Sequence, residues 1–88
     1  MKVHIEFCIK WHYDPEFDRV SKLIKSIDSS VLISSNQEPP RSGAFEVTIN
    51  KEVVFSKLEN GSFPSKEEVS SWFRKWKNLY YYQSAFLL

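Results

Sequence analysis

Apolar and polar side chains alternate through residues 2–8, where Val3, Ile5 and Phe7 fall on one face of an extended chain. A period of two is typical of a β-strand with one face more deeply buried than the other. Cys8 ends this run, so it belongs either to the opposite face or to the loop that follows. The sequence therefore predicts a first strand that stops at the only cysteine.

A helical pattern follows after a short loop. Asp14 is predicted to be the N-cap and Pro15 the first helical residue, where its missing N–H leaves no hydrogen bond unmade. The helix is predicted to continue to about Asp28. Five apolar residues recur at helical spacing and predict one buried face: Phe17, Val20, Leu23, Ile24 and Ile27.

The centre of the chain predicts three more strands. Residues 31–33 are apolar, Val31 and Ile33 are β-branched, and a helix before them favours a strand parallel to the first. Residues 37–43 contain two adjacent prolines, so they are predicted to be a loop. Two alternating runs, residues 45–49 and 53–56, are separated by Asn50-Lys51 and predict a hairpin with a tight turn.

A final helix is predicted after Ser65, because Glu68 stands three residues later and completes the pattern of a capping box. Its apolar residues are predicted to line one buried face: Val69, Trp72, Phe73, Trp76, and Leu79 or Tyr80. The predicted order is β-α-β-β-β-α. This order indicates an α+β domain with a four-stranded mixed sheet and both helices packed on one face.

Length and composition indicate one folding unit. The 88 residues are 42% hydrophobic, which suits a single small domain. We expect that domain over residues 1–83, followed by a short apolar tail over residues 84–88. The aromatic final helix and this tail are predicted to tuck against the sheet, and self-association through them is the alternative.

Charge and cysteine usage exclude several classes of partner. The formal net charge of +1 gives no reason to expect a nucleic acid. No apolar run approaches the roughly 18 residues of a membrane span, and the alternating start is unlike a signal peptide. A single cysteine excludes an internal disulfide framework and favours a reducing, cytoplasmic setting.

Several ordered stretches resemble one known family. They are "VHIEFC" with "YDPEFDRV" after a short loop, "RSGAFEVTINKEVVFSKLENGSFPS", and the aromatic final helix. Over about residues 2 to 77 the chain resembles the selenoprotein W-like, or Rdx, family. The resemblance implies a thioredoxin-like fold, with the strands in the order second, first, third, fourth.

The loop after the first strand carries the redox motif in that family, as Cys-x-x-Cys or Cys-x-x-selenocysteine. Here the motif is Cys8-Ile9-Lys10-Trp11, so Cys8 matches the first position and Trp11 occupies the second. A dithiol cycle needs one thiolate to attack and a second thiol to resolve the mixed disulfide. This chain cannot complete that cycle alone, and the sequence leaves open whether it is an enzyme.

A one-thiol redox role for Cys8 is the first functional hypothesis, and the resemblance favours it. Lys10, His12 and the following helix N-terminus would stabilise a thiolate. Cys8 would form a mixed disulfide or sulfenic acid, which glutathione or a thiol-containing partner protein resolves. Six residues are predicted to form the supporting loops: Lys10, Trp11, His12, Pro40, Ser42 and Gly43.

The alternative hypothesis is a binding module that kept the fold and lost the chemistry. In that case Cys8 is a small buried residue, as free cysteines commonly are. The loop around Trp11, His12 and Pro40 would then be a contact surface. Neither hypothesis includes a resident cofactor, and His4, Cys8 and His12 lack the spacing of a metal site.

Overall fold

The computed structural model describes residues 1–74 of the chain. The predictions for Trp76, Leu79, Tyr80 and the tail over residues 84–88 lie outside the described residues. The elements that it contains are β1 (Lys2–Phe7), α1 (Asp14–Ile27), β2 (Leu32–Ser35), β3 (Phe45–Ile49), β4 (Glu52–Ser56) and α2 (Lys57–Asn60), with a final helix, α3, over residues 66–74 of the described part.

The four strands form one mixed sheet in the order β2-β1-β3-β4. β1 is parallel to β2 and antiparallel to β3, and β4 is antiparallel to β3. This arrangement confirms the predicted mixed sheet and the strand order that the family resemblance implies. It makes β1 a central strand, and its C-terminal end leads directly to Cys8.

One face of the sheet holds the core. Val3 and Ile5 of β1 pair in register with Ile49 and Val47 of β3, and all four are buried. The core also contains buried side chains from both long helices, which agrees with the prediction that these helices lie on one face: Val20 and Ile24 of α1, and Val69, Trp72 and Phe73 of α3. Phe7 was grouped with this face, but it is half-buried and stacks on Phe17 with ring centroids 4.8 Å apart.

Two helix and turn predictions are confirmed in atomic detail. Ser65 and Glu68 form the predicted capping box, because the Glu68 N–H donates to Ser65 Oγ and the Ser65 N–H donates to Glu68 Oε1. Asn50 and Lys51 both have positive φ, at 48° and 73°. Two left-handed residues define the tight hairpin turn whose twist matches that of the flanking strands.

Three boundaries differ from the prediction. The N-cap of α1 is Tyr13 instead of Asp14, because the Tyr13 carbonyl accepts the Phe17 N–H at 3.0 Å. The second strand is Leu32–Ser35 instead of residues 31–33, since pairing with β1 extends through both serines. The short helix α2 was missed, and it forms because the Ser56 side chain accepts the Glu59 N–H.

Phe45 provides the stability test of this core. It is fully buried, and its ring meets those of Phe55 and Phe63 edge to face. We expect Phe45→Ala to lower the free energy of unfolding by about 3 to 5 kcal/mol, because it leaves a cavity in a packed core. Denaturant melts measure the loss, with Leu32→Ala, 64% exposed on the edge strand, as the control. A loss below about 1 kcal/mol would contradict the conclusion that the Phe45 ring contributes to core packing.

Candidate functional site

The Cys8 loop is a closed turn between β1 and α1. The Cys8 N–H donates to the Ala44 carbonyl at 2.9 Å, and the Cys8 carbonyl accepts the Tyr13 N–H at 3.1 Å. Within the loop, the His12 N–H donates to the Ile9 carbonyl at 3.0 Å. Backbone hydrogen bonds therefore fix the start, middle and end of the loop.

The thiol of Cys8 is buried. Its residue is only 2% exposed, and it is a free cysteine. Ala44, whose carbonyl accepts the Cys8 N–H, is also fully buried. A reactive cysteine needs access to its substrate as well as a thiolate, so this closed geometry favours packing over reactivity.

Trp11, unlike Cys8, is largely exposed to solvent. It is 59% exposed, as is Ile9, and its indole Nε1–H donates to Ser42 Oγ at 3.1 Å. The loop thus presents two large apolar side chains to solvent while one of them is held by a hydrogen bond. Trp11, at the position that the resemblance aligns with the second redox residue, is therefore an oriented aromatic ring.

The two residues predicted to stabilise a thiolate, Lys10 and His12, are exposed in the same turn. His12 has a φ of 58°, a left-handed conformation that histidine adopts more readily than most side chains. The first turn of α1 carries Asp14 and Glu16, which complement the positive end of the helix dipole. Lys10 and His12 therefore place two exposed polar side chains in the same turn as Ile9 and Trp11.

A second loop meets the first through Ser42 and Ala44, which flank Gly43. The Ala44 N–H donates to the Arg41 carbonyl at 3.1 Å and closes a turn in which Gly43 has a φ of 74°. Positive φ at this third turn position favours glycine. The structure thus brings Ser42 and Gly43 to the Cys8 loop, whereas Pro40 is half-buried and only precedes the turn.

An aromatic cluster supports the end of the Cys8 loop. The Tyr13 and Phe63 rings lie edge to face, 4.7 Å apart, and Lys57 Nζ lies 5.2 Å from the Tyr13 centroid. Such a geometry adds cation–π attraction to ring packing. Sequence reasoning missed this cluster, because its members are separated by up to fifty positions and carry no shared local pattern.

Two contacts near the Cys8 loop were not predicted, although Glu6 was expected to oppose a Cys8 thiolate if it lay close. Glu6, on the polar face of β1, accepts three hydrogen bonds from Arg41: one from the backbone N–H at 2.7 Å, one from Nε at 3.1 Å and one from a terminal guanidinium nitrogen at 2.9 Å. Asn36 binds the backbone of Phe7, accepting its N–H and donating to its carbonyl, both at 2.9 Å. The only sequence signal was the polar position of Glu6 two residues before Cys8.

Hydrogen bonds from Arg41 lower the pKa of the Glu6 carboxyl below its ordinary value of 4.5, partial burial of the carboxyl acting against them. The charges of Arg41 and His4 add to the lowering. The ionised form of Glu6 is therefore the one that the folded chain stabilises.

Residues 1–74 contain neither a cluster of metal-ligand side chains nor a helix that could span a membrane. No three His, Cys, Asp or Glu side chains of this part come together as metal ligands. None of its helices combines the length and apolarity that crossing a bilayer requires.

The fold and this loop define the class of protein. A central strand that ends at a cysteine loop and a helix, within a four-stranded mixed sheet, is a thioredoxin-like α+β arrangement. The sequence profile of the Rdx family matches residues 2–75, and the chain belongs to that family.

Similar proteins agree with this assignment. The chain is 30% identical over 78 residues to migration and invasion enhancer 1 of Bos taurus and 33% identical over 78 residues to that of Mus musculus, covering 89% and 86% of this chain. It spans 66% of the length of each of these relatives, just under two thirds.

Solved structures share the fold. A selenoprotein W-related protein from Vibrio cholerae superposes with a TM-score of 0.73 at 17% identity, over 84% of this chain and 92% of the other. A protein from Bordetella parapertussis superposes with a TM-score of 0.72 at 14% identity, over 84% and 94%.

The lowered pKa of Glu6 predicts how stability depends on pH. Its contribution is fully present above pH 4.5 and is lost as the pH falls below 4.5 through the lower pKa of the folded state. Glu6→Gln should therefore reduce the drop in unfolding free energy between pH 7 and pH 3, measured by denaturant melts at each pH. Glu67→Gln, at an exposed position of α3, is the control. An equal drop in wild type and Glu6→Gln would contradict the assignment.

Proposed function

We propose that this Rdx-family chain is a protein-binding module that uses the Cys8 loop as its contact surface. The observation that carries the proposal is the contrast within four residues: Ile9 and Trp11 are both 59% exposed, whereas Cys8 is 2% exposed. A loop built for thiol chemistry would present the sulfur. This loop presents an aromatic and an aliphatic side chain.

The character of the exposed pair suits an interface. Tryptophan is among the residues that most often dominate binding energy, and it does so when surrounded by a polar rim. Lys10 and His12 provide such a rim in the same turn. The partner that fits is a protein with an apolar pocket for Trp11.

Preorganisation also supports binding. The Trp11 ring is held by Ser42, and the loop backbone is closed by hydrogen bonds to Ala44 and from Tyr13. A surface that is ordered before binding loses less conformational entropy on association. The same bonds that seal Cys8 therefore favour recognition through Trp11.

A one-thiol redox role is the second candidate, favoured by the match of Cys8 to the family's first redox position. The Cys8 thiolate would attack one sulfur of oxidised glutathione, forming a mixed disulfide and releasing one glutathione thiolate. A second glutathione thiol would reverse the step. This role requires the loop to open, because the sulfur is buried in the closed form. A cytoplasmic location and the absence of a nucleic-acid partner stay predictions from composition.

Alkylation of Cys8 separates the two candidates. In the folded protein at neutral pH we expect iodoacetamide to react at least about 100-fold more slowly than in denaturant, because reaction needs local opening. We expect no glutathione adduct by mass spectrometry after treatment with oxidised glutathione. Rapid labelling with a midpoint near or below pH 7, together with a reversible adduct, would favour the redox role instead.

Photo-crosslinking tests the contact surface itself. A benzophenone amino acid in place of Trp11 should capture a defined protein in the source cells, and Ile9→Ser in the same chain should reduce that capture. The same amino acid in place of Leu32, equally exposed on the edge strand β2, is the control and should not capture it. Identical capture from both positions would contradict a specific surface at the Cys8 loop.

A further inference from the structure

The connection between β2 and β3 contacts the end of β1 and the Cys8 loop at four points. Residues 36–44 include no regular strand or helix. Four residues of this connection contact residues 6–11, on both sides of Cys8: Asn36 binds Phe7, Arg41 binds Glu6, Ser42 binds Trp11 and Ala44 binds Cys8. A loop of this length has many conformations, so these contacts select one.

The Glu6–Arg41 pair is the strongest of the four attachments. Nε and a terminal nitrogen of Arg41 donate to different oxygens of the Glu6 carboxylate, which is bidentate pairing, and the Arg41 backbone N–H adds a third bond. Charge-assisted bidentate bonds are stronger and more directional than bonds between neutral groups. The Glu6 side chain is only 22% exposed, which limits screening on its side of the pair.

Arg41 is connected to both halves of the site. Its carbonyl accepts the Ala44 N–H and closes the turn that carries Ser42. Ser42 in turn holds the Trp11 indole, and the Ala44 carbonyl holds the Cys8 N–H. A single bond network thus leads from Glu6 to the exposed Trp11 ring and to the backbone of the buried Cys8.

We propose that Glu6 and Arg41 form a latch that holds residues 36–44 against the Cys8 loop, so that Trp11 is oriented and the Cys8 thiol is inaccessible. Glu6 and Arg41 act through Ser42 and Ala44, so they are positioning residues. The orienting of Trp11 for a partner rests on the proposed function, whereas the sealing of Cys8 does not.

The test measures Cys8 alkylation in folded protein carrying Glu6→Gln or Arg41→Gln. Loss of a charged hydrogen-bonding partner should raise the native alkylation rate by roughly 5- to 30-fold, given the modest net energies of partly exposed pairs. Arg41→Lys, which keeps the charge but not the bidentate geometry, should lie between wild type and Arg41→Gln.

A matched control separates the latch from a general loss of stability. Glu16→Gln removes a comparable ion pair, the 2.7 Å contact with Arg19 on α1, leaves the Arg19 bond to the Pro64 carbonyl in place, and should leave the alkylation rate unchanged. In the latch variants the labelling rate should depend weakly on low denaturant concentrations, because local opening exposes little surface. A dependence as steep as that of global unfolding would overturn the proposal.

Hydrogen exchange in the wild-type chain tests the latch without a substitution, in case a variant fails to fold. The amides of Cys8 and Ala44 should exchange together, through an opening more frequent than the one that exposes Val47 of β3. Exchange of all three only by global unfolding would overturn the latch.

The two proposals fail in different ways. Unchanged labelling in both latch variants, with specific capture through position 11 intact, would overturn the latch and leave the binding function. Faster labelling in the latch variants, with no capture from position 11, would support the latch and contradict the binding function.

Discussion

Burial of one face of the sheet is the constraint on which the rest of the structure depends. Because side chains alternate along a strand, placing Val3 and Ile5 in the core puts His4 and Glu6 on the other face. The parallel pairing of β1 with β2 then requires a crossover, which α1 supplies. The Cys8 loop is the connection between that strand and that helix, so its position follows from the packing of the core.

The same constraint explains why Cys8 does not follow the alternation of β1. If the strand continued, Cys8 would share the open face with Glu6. The strand instead ends at Phe7, and hydrogen bonds to Ala44 and from Tyr13 turn the chain so that the residue is buried. The exposed part of the loop is then left to Ile9 and Trp11.

Local patterns in the sequence were sufficient for most of the fold. The alternation in β1 and β3, the helical spacing in α1 and the capping box at Ser65 each depend on near neighbours, and the structure confirms them. The missed features depend on distant partners. Arg41 bonds to Glu6, which lies 35 positions away in the sequence. The ends of β2 are set by its pairing with β1, about thirty positions away. No local pattern encodes such contacts.

The burial of Cys8 was one of two open interpretations, since a residue at a strand end can turn inward or remain in an exposed loop. The family resemblance aligns Trp11 with the family's second redox position, which leaves Cys8 without a partner thiol. The buried Cys8 and the exposed Ile9 and Trp11 are the observations on which the proposed binding function rests.

The central claim is that this loop keeps the geometry of the family's redox motif and differs from it at position 11. Trp11→Cys tests it most directly, with Trp11→Ser as the control that lacks a thiol. In a buffer of reduced and oxidised glutathione, with the oxidised form as the oxidant, the introduced thiol should form an intramolecular disulfide with Cys8. The disulfide is seen by mass spectrometry as the loss of two hydrogen atoms, while circular dichroism shows an intact fold. A variant that stays folded but forms only glutathione adducts or intermolecular dimers would contradict the account.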